Sequence, residues 1–300
     1  MPVVNIDNRN KYALITGATS GFGYELAKLF AADSYSLVLV ARSEERLQEV
    51  TNEIKQRYSV EVTPVSCDLF DPSSPQLIYD EVKARGIVVN YLVNDAGQGE
   101  WGKFIDIDLK RSLDIIQLNI CSLVALTKLF ATDMAARGEG RILQLGSEAS
   151  KVPMPLLSVY AATKAFVLSF SAALSEELKD SGVTVTVLLP GAADTDFFHK
   201  ANAENTVTYR EEELQTPEEV ARDGYDALMS GESRIISGGK TKQHVYMANL
   251  MSDSANARNM KKKMEPSTSD EGRFYPEHDA SRKERDAIGH DSGDLDESGR

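Results

Sequence analysis

The sequence predicts an α/β fold, a doubly wound parallel sheet of about seven strands with helices on both faces, arranged as a single domain. Three observations support this fold class. Runs of β-branched and aliphatic residues alternate with segments of helical periodicity. The strand candidates are hydrophobic almost throughout, as expected for strands covered on both faces. The alternation repeats about six times, which requires right-handed crossover connections between parallel strands.

The predicted strands are short apolar runs, and the predicted helices lie between them. The strand candidates are KYALIT (11–16), SLVLVA (36–41), VEVTPVSC (60–67), VVNYLVN (88–94), GRILQLG (140–146), VTVTVLL (183–189) and SRIIS (233–237). The helix candidates are 21–32, 43–58, 74–85, 108–137, 155–181 and 217–230. The two longest of these helices carry apolar residues at helical spacing.

The α/β pattern ends near residue 240, and the composition then changes. Residues 1–240 are therefore expected to form the domain. Residues 241–264 are expected to be an appendage with some helical character but no clean apolar stripe. Residues 265–300 are polar and acidic with few large apolar side chains, which predicts a disordered tail.

The charge and the cysteines restrict the partners and the compartment. A net charge of −13 and a pI near 4.9 argue against nucleic acid or an anionic membrane as a partner. We expect no leader at the N-terminus and no apolar stretch of the roughly 18 residues that a membrane span needs. Cys67 and Cys121 are expected to be buried in a reducing compartment. The expected location is cytoplasmic.

A glycine-rich loop, TGATSGFG (16–23), follows the first strand and opens the first helix. Glycines at such a turn let the backbone approach a pyrophosphate, and the helix N-terminus offers free N–H groups. The spacing is G-x-x-x-G-x-G rather than G-x-G-x-x-G. It resembles the loop of the classical short-chain dehydrogenase/reductase family, whose fold is of the Rossmann type. The expected cofactor contacts here are Gly17, Thr19, Ser20, Gly21, Phe22 and Gly23.

The second strand ends in LVLVARSEERL, where the residue that selects the cofactor ribose is expected. Arg42 stands there instead of a carboxylate, and its planar guanidinium suits a phosphate. We therefore expect NADP rather than NAD, with Ser43 as a possible helper. A solvated arginine at the start of a charged helix is the alternative.

Two further stretches resemble the cofactor contacts of this family. CDL (67–69) ends the third strand, and the resemblance implies that Asp68, with Leu69 beside it, meets the adenine. NDAG (94–97) ends the fourth strand and matches the family motif at Asn94, Ala96 and Gly97. Asp95 departs from the Asn of that motif, which places the bracing of the strands in question more than catalysis. Asn-Asp-Ala-Gly is also an acceptable turn in any fold.

Three tyrosines are followed four residues later by a lysine, so that each pair shares one helical face: Tyr24/Lys28, Tyr79/Lys83 and Tyr160/Lys164. The first pair lies in the helix after the glycine loop, and the second lies on an amphipathic helix. Only the third follows a serine, Ser147, at the end of the fifth strand, where ligands bind in open parallel sheets. We therefore interpret the third pair as functional.

Tyrosine is a poor acid or base at neutral pH unless a nearby cation stabilises its ionised form, and a lysine one turn away supplies that cation. The family resemblance implies that Tyr160 is the proton donor, that Lys164 assists it and binds the ribose, and that Ser147 positions the substrate oxygen. It adds Asn119 as part of a water-mediated proton relay; a polar residue at a helix distortion is the alternative. The resemblance also implies nicotinamide contacts from Pro190, Gly191 and Thr195.

These features predict an oxidoreductase that transfers a hydride between NADP(H) and a carbonyl compound or secondary alcohol. The alternative is a non-catalytic NADP(H)-binding regulator, but such proteins usually lose the tyrosine or lysine. A hydrolase is disfavoured because G-x-S-x-G is absent from the sequence. No cluster of metal ligands is expected. The resemblance implies a homodimer or homotetramer packed through helices 108–137 and 155–181. Small-molecule substrates are the only other partners expected.

Overall fold

A parallel sheet forms the centre of the protein. The computed structural model describes residues 8–268, and within that range seven strands join one sheet in the order β3-β2-β1-β4-β5-β6-β7. All neighbouring strands run parallel. The strands are β1 (Tyr12–Thr16), β2 (Ser36–Ala41), β3 (Val62–Ser66), β4 (Val89–Asn94), β5 (Gly140–Leu145), β6 (Val183–Leu189) and β7 (Arg234–Ile236). The predicted fold class is confirmed.

Helices connect the strands and cover both faces of the sheet. Over the described residues they are α1 (Gly21–Ala32), α2 (Glu44–Tyr58), α3 (Ser74–Ala84), α4 (Leu109–Ile116), α5 (Leu123–Arg137), α6 (Ser158–Glu177), α7 (Phe197–Lys200), α8 (Val207–Glu211), α9 (Pro217–Ser230), α10 (Gly239–Leu250) and α11 (Asp253–Met264). The predicted helix 155–181 is shorter at both ends. Pro153 and Pro155 precede it, and prolines disfavour helical geometry in the residues before them.

Each central strand buries side chains on both of its faces, which explains why these strands are hydrophobic without alternation. On β1, Ile15 faces the core beneath α1, α2 and α9, where Phe30 lies. Its neighbour Leu14 faces the opposite core, together with Ile78 of α3 and Phe130 of α5. All five side chains are almost inaccessible to solvent. Hydrophobic burial on two faces therefore holds the sheet between its helix layers.

The strand order reverses beside β1, which pairs with β2 on one side and with β4 on the other. A crevice opens at such a point beyond the carboxyl ends of the strands. The loops that follow β1, β2, β3, β4, β5 and β6 all reach this edge. Every segment that carried a predicted site residue after a strand is thus brought to one place.

The predicted helix 108–137 is interrupted by a π-helical segment, Gln117–Ser122, between α4 and α5. By length and composition, the helical stretch Leu109–Arg137 could cross a membrane, contrary to the expectation from the sequence. Half of its most apolar window is buried inside the fold. Its apolar residues include Leu126 and Phe130, which pack in the core against the sheet.

The compact unit extends to Ser267, so the domain boundary expected near residue 240 lies too early in the chain. Residues 241–264 form most of α10 and all of α11, which bury Val245, Ala248 and Met264. Because residues 241–264 are mostly polar, these few buried apolar residues formed no recognisable pattern in the sequence. The first residues of the predicted tail are bonded to the domain, since Val207 N–H donates to the Glu265 carbonyl. Residues 269–300 lie outside the described residues.

Both cysteines are free thiols. Cys121 is exposed, so the prediction that both are buried is wrong for this residue. It lies in the π-helical segment, whose wider turn directs part of its surface outward. Cys67 is half-buried beside the crevice.

Candidate active site

Two adjoining clefts lie at the carboxyl edge of the sheet. The outer cleft is bordered by the glycine loop and the ends of β2 and β3. The inner cavity, of about 170 Å³, extends from the glycine loop to the loop after β6 and to α11. Gly17, Ser20, Ala96 and Gly97 border both. A long ligand could therefore extend from one cleft into the other past the glycine loop.

The glycine loop fits an anionic group. Gly17 and Gly21 have φ values of 70° and 56°, a region that favours glycine. Ser20 begins α1 without a capping side-chain hydrogen bond, and the first turn of α1 contains no acidic residue. The N–H groups and the positive dipole end of α1 are therefore available to a phosphate. Thr19 borders the outer cleft, and Gly21 and Phe22 border the inner cavity.

Gly23 has a different role from its neighbours in the loop. A Cβ atom at this position would lie 2.6 Å from the Gly17 carbonyl oxygen and 2.7 Å from Oδ2 of Asp95. It does not border either cleft. Its predicted contact with cofactor is thus replaced by a packing role, in which glycine lets α1 approach the loop and the end of β4.

Two arginines border the outer cleft. Arg42 lies where the sequence places it, with its guanidinium carbon 5.8 Å from the centre of the Phe70 ring. Arg46, one helical turn later on α2, borders the same cleft and forms an ion pair of 2.8 Å with Glu49. Sequence reasoning missed Arg46, although its i+4 spacing from Arg42 was a usable signal. Ser43 also borders the cleft, and its hydroxyl caps α2 by accepting from Arg46 N–H.

Asp68 and Leu69 border the outer cleft opposite the glycine loop. Oδ1 of Asp68 accepts a hydrogen bond of 3.1 Å from Phe70 N–H, which holds the carboxylate in a local turn. The contact of these residues with the adenine stays a prediction.

At the end of β4, the structure differs from the predicted cofactor contact of Asn94. The Asn94 side chain is buried beneath the clefts, where its amide donates to Thr127 and Gln144 over 3.0 Å each. It therefore braces β4 against β5 and α5 and does not face a cofactor. The bracing questioned at Asp95 is intact as well, because Thr16 Oγ1 accepts from the N–H groups of Asp95 and Ala96 at 3.1 Å.

Asp95 places a carboxyl group beneath the glycine loop. Burial raises the pKa of Asp95 to about 7, although Lys164, the Gly23 N–H and Lys200 each favour the charged form. Its Oδ1 is buried and has no hydrogen-bond partner among the described residues. This position therefore holds an ionisable group beside the inner cavity.

Ser147, Tyr160 and Lys164 come together at the floor of the inner cavity. The Ser147 hydroxyl accepts a hydrogen bond of 3.1 Å from Ala149 N–H and favours the ionised form of Tyr160. Nζ of Lys164 lies 5.7 Å from the centre of the Tyr160 ring and donates to the Leu145 carbonyl over 2.7 Å. One turn of α6 sets the Tyr–Lys spacing, and the loop after β5 brings Ser147 to the tyrosine. Of the three Tyr–Lys pairs, this is the one that borders the inner cavity, and its catalytic role stays a prediction.

Burial and neighbouring charges shift the pKa values of Tyr160 and Lys164. Burial raises the pKa of Tyr160 to about 12; the Ser147 hydroxyl opposes this change, and Glu148 and Asp95 add to it. Burial lowers the pKa of Lys164 to about 8, and Asp95 opposes that change. The tyrosine therefore holds its proton at neutral pH, and the lysine is poised to titrate just above it.

Comparison with known proteins decides the family. The family model for short chain dehydrogenases matches residues 11–206, which include the glycine loop and the Ser–Tyr–Lys set. The chain belongs to the short-chain dehydrogenase family. The very-long-chain 3-oxoacyl-CoA reductase of Rattus norvegicus is 37% identical over 186 residues, covering 60% of this chain and 58% of the relative. Sulfoacetaldehyde reductase 2 of Chromohalobacter salexigens is 40% identical, covering 61% of this chain and 73% of the relative.

Solved short-chain dehydrogenases share the fold over most of the chain. A short-chain dehydrogenase from Sphingobium yanoikuyae in complex with NADPH superposes with a TM-score of 0.71 at 25% identity, covering 97% of this chain and 99% of that one. L-sorbose reductase from Gluconobacter frateurii, complexed with NADPH and L-sorbose, has a TM-score of 0.69 at 25% identity, covering 76% and 95%. The chain spans less than two thirds of the first curated relatives, the 3-oxoacyl-CoA reductases.

Asn119 of this short-chain dehydrogenase lies in the π-helical segment. Its amide donates to the Gln98 carbonyl and to Thr163 over 2.9 Å, and its Oδ1 accepts from Gln98 N–H over 3.0 Å. A Cβ on Gly97 would lie 3.3 Å from both Asn119 Oδ1 and Lys164 Nζ. Asn119 thus lies close to Lys164 and at a helix distortion. This position is compatible both with the proton relay and with a polar residue at a helix distortion, so the relay stays a prediction.

The loop after β6 closes the inner cavity. Pro190, Gly191 and Thr195 border it, and the Thr195 methyl group lies within 3.4 Å of a Cβ built on Gly21. Lys200, on α7, borders both clefts, and its Nζ donates to Ser20 Oγ over 3.3 Å. Sequence reasoning missed Lys200, because a lysine in a charged loop carries no signal of where that loop folds.

The C-terminal helix also contributes to the cavity. Met260, Lys263 and Met264 of α11 border it alongside Tyr160, more than 90 residues away in the chain. The sequence assigned this segment to an appendage and offered no signal for its position. Among residues 8–268, no group of three or more His, Cys, Asp or Glu side chains is arranged to hold a metal ion.

Proposed function

We propose that this short-chain dehydrogenase is an NADP(H)-dependent oxidoreductase that interconverts a carbonyl compound and its alcohol. The observation that carries the proposal is the meeting of Ser147, Tyr160 and Lys164 at the floor of the inner cavity. Its relatives are named as reductases of a 3-oxoacyl-CoA and of sulfoacetaldehyde, and a structural neighbour is an L-sorbose reductase. These substrates share only a carbonyl group, so the reaction class is proposed and a particular substrate is not.

The residues of the set divide the proton chemistry of a reduction. The substrate oxygen accepts hydrogen bonds from the Ser147 and Tyr160 hydroxyl groups, which hold the carbonyl carbon in place. NADPH, when bound, supplies the hydride that this carbon receives. The developing alkoxide takes the phenolic proton of Tyr160, and the Lys164 ammonium stabilises the tyrosinate that remains. Oxidation of an alcohol runs through the same residues in reverse.

The clefts support NADP(H) as the cofactor. The uncapped N-terminus of α1 suits the pyrophosphate, and Arg42 and Arg46 offer two guanidinium groups where a ribose phosphate would lie. Arg42 follows β2 directly and Arg46 lies in the first turn of α2, and the described residues that border this cleft include no carboxylate on the β2–α2 loop. An acidic residue there would favour the hydroxyl of NAD instead.

A fluorescence titration with NADPH and NADH, followed by a panel of ketones and aldehydes, tests the proposal. We expect tight binding of NADPH and its oxidation with at least one carbonyl compound. Tyr160→Phe is expected to keep the affinity for NADPH and to lower kcat by about 10²-fold or more, because the proton donor is lost.

The outcomes separate the candidate functions. Wild-type turnover by the Tyr160→Phe variant would remove the tyrosine from the mechanism. Binding of NADPH without turnover of any carbonyl compound would favour the alternative, a cofactor-binding regulator. Absence of binding would contradict the cofactor assignment as a whole.

A further inference from the structure

Part of the inner cavity has an apolar wall. Met154 and Leu157 form one part of it, from the loop before α6. Met260 and Met264 form the other part, from α11. Met154, Leu157 and Met264 belong to one buried hydrophobic cluster, against which Met260 and the Tyr160 ring pack. A substrate whose carbonyl oxygen reaches Tyr160 therefore has its remaining atoms beside methionine and leucine.

Specific contacts hold α11 in this position. The indole N–H of Trp101 donates to the Met264 carbonyl over 2.8 Å. Thr208 Oγ1 donates to the Lys263 carbonyl over 3.2 Å, and Nζ of Lys263 pairs with Glu212 over 2.9 Å. Beyond the helix, Thr206 and Pro266 form an antiparallel bridge. The end of α11 is thus attached both to the loop after β4 and to the region of α8.

The charged groups at this wall occur as a pair. Lys263 and Glu212 both border the cavity and neutralise each other, with about a third of each side chain exposed. Methionine side chains are flexible and adapt to ligands of varied shape. A wall of this composition favours an apolar ligand over a highly polar one, because burying unpaired polar groups costs free energy.

We propose that α11 is the outer wall of the substrate site, and that the substrate is a ketone or aldehyde with an apolar chain or ring lying against Met260 and Met264. The inference rests on the proposed function for the reaction, but the binding of the apolar body can be measured separately. It assigns a substrate-contacting role to a helix that follows the α/β pattern in the sequence.

A chain-length series of methyl ketones, from butanone to the ten-carbon homologue, tests the inference on the full-length protein. In the wild type, KM is expected to fall as the chain lengthens. Met260→Ala is expected to raise KM for the longest ketone about tenfold more than KM for butanone, because long chains contact the lost side chain over a larger area. Met247→Ala, on the exposed surface of α10, is the matched control and should match the wild type.

Trp101 provides a readout that needs neither cofactor nor turnover. It is the only tryptophan in the chain and is bonded to α11, so its fluorescence reports on ligands at this wall. The longest ketone is expected to change its emission in the wild type and Met247→Ala, and less at the same concentration in Met260→Ala. Met264→Ala is a second variant at the wall, with circular dichroism to verify that it folds.

Each outcome decides the inference. An emission change that Met260→Ala weakens supports it, even if no ketone is reduced and the proposed function fails. Wild-type chain-length dependence in both methionine variants would overturn it while leaving the reductase function in place. Absence of any emission change with the long ketones, in a protein that reduces small polar carbonyls, would also overturn it.

Discussion

At the residue scale, environment separates side chains that the sequence presents as equal. Asp68 lies at the surface of the outer cleft, whereas Asp95 is buried beneath the glycine loop with a pKa raised to about 7. Lys28 pairs with Glu25 over 2.6 Å on α1, whereas Lys164 donates to a carbonyl in the inner cavity. The chemistry of each residue therefore follows from its burial and its neighbours.

Arg42 is predicted to select NADPH over NADH. Arg42→Asp is expected to weaken NADPH binding about tenfold to a hundredfold, since a charge-assisted hydrogen bond to phosphate is lost and a repulsive charge is gained. Binding of NADH should change less. Parallel fluorescence titrations measure the ratio of the two affinities. Arg57→Asp, at the far end of α2, controls for the change in net charge. An unchanged ratio in Arg42→Asp would locate selection elsewhere, with Arg46 as the next residue to test.

Asp95 is predicted to make stability depend on pH. Its pKa is raised from 3.8 to about 7 by folding, so the folded state holds the proton more tightly than the unfolded state. The contribution of protonated Asp95 to the free energy of unfolding is fully present below pH 4. It is lost as pH rises towards 7, by up to about 1.4 kcal/mol per pH unit. Asp95→Asn should remove that loss, and its free energy of unfolding should exceed that of the wild type above pH 7.

Denaturant unfolding of both proteins from pH 5 to pH 8 measures this difference. Asp226→Asn, at an exposed position of α9, controls for the loss of one negative charge. Curves for Asp95→Asn and the wild type that stay parallel across this range would show that Asp95 does not titrate there.

At the element scale, α1 must approach the end of β4 closely, and Gly23 permits this. Gly23→Ala would place a methyl group against the Gly17 carbonyl, which is rigid backbone, so that α1 has to move. We expect a loss of about 1–3 kcal/mol in the free energy of unfolding, together with weaker NADPH binding. Gly239→Ala in α10 is the matched control, because a Cβ there meets no atom within 4 Å. Denaturant unfolding and NADPH titration measure both effects, and equal behaviour of the two variants would contradict the packing role.

At the scale of the whole molecule, an exposed apolar patch covers part of one helix layer. Leu109 and Leu113 of α4 expose more than half of their side chains, and Phe104 and Ile105 precede them in the chain. Phe166 of α6 is also exposed and stacks on Phe170. An apolar surface of this kind usually marks an interface. It lies on the two helical regions for which the family resemblance implied self-association.

We predict that this patch joins two copies of the chain. Leu113→Glu should shift the sedimentation coefficient of the protein towards that of a monomer, since a carboxylate would be buried in an apolar interface. Leu77→Glu, at an exposed position of α3 outside the patch, is the control and should sediment like the wild type. A wild-type protein that sediments as a monomer at micromolar concentration would contradict the prediction.

Sequence patterns were sufficient where the deciding interactions are local. The i+4 spacing of Tyr160 and Lys164 and the loop before α1 could be interpreted from neighbours in the chain. Sequence patterns were insufficient where segments distant in the chain meet. Asn94 matched a motif, yet its side chain turns towards Thr127 and Gln144 because the packing of three elements leaves it beneath the sheet edge.

The sequence by itself determined the parallel α/β fold and the glycine loop, because hydrophobic periodicity and short spacings encode them directly. It pointed to Ser147, Tyr160 and Lys164 only with the help of the position of Ser147 after a strand and of the family resemblance. Only the tertiary structure decided that α11 borders the inner cavity, that Arg46 borders the outer cleft, that Lys200 borders both and that Asp95 lies buried beside the inner cavity. These features depend on contacts between residues far apart in the chain. Burial, charge environment and cavity shape arise only once the sheet and its helices have packed together.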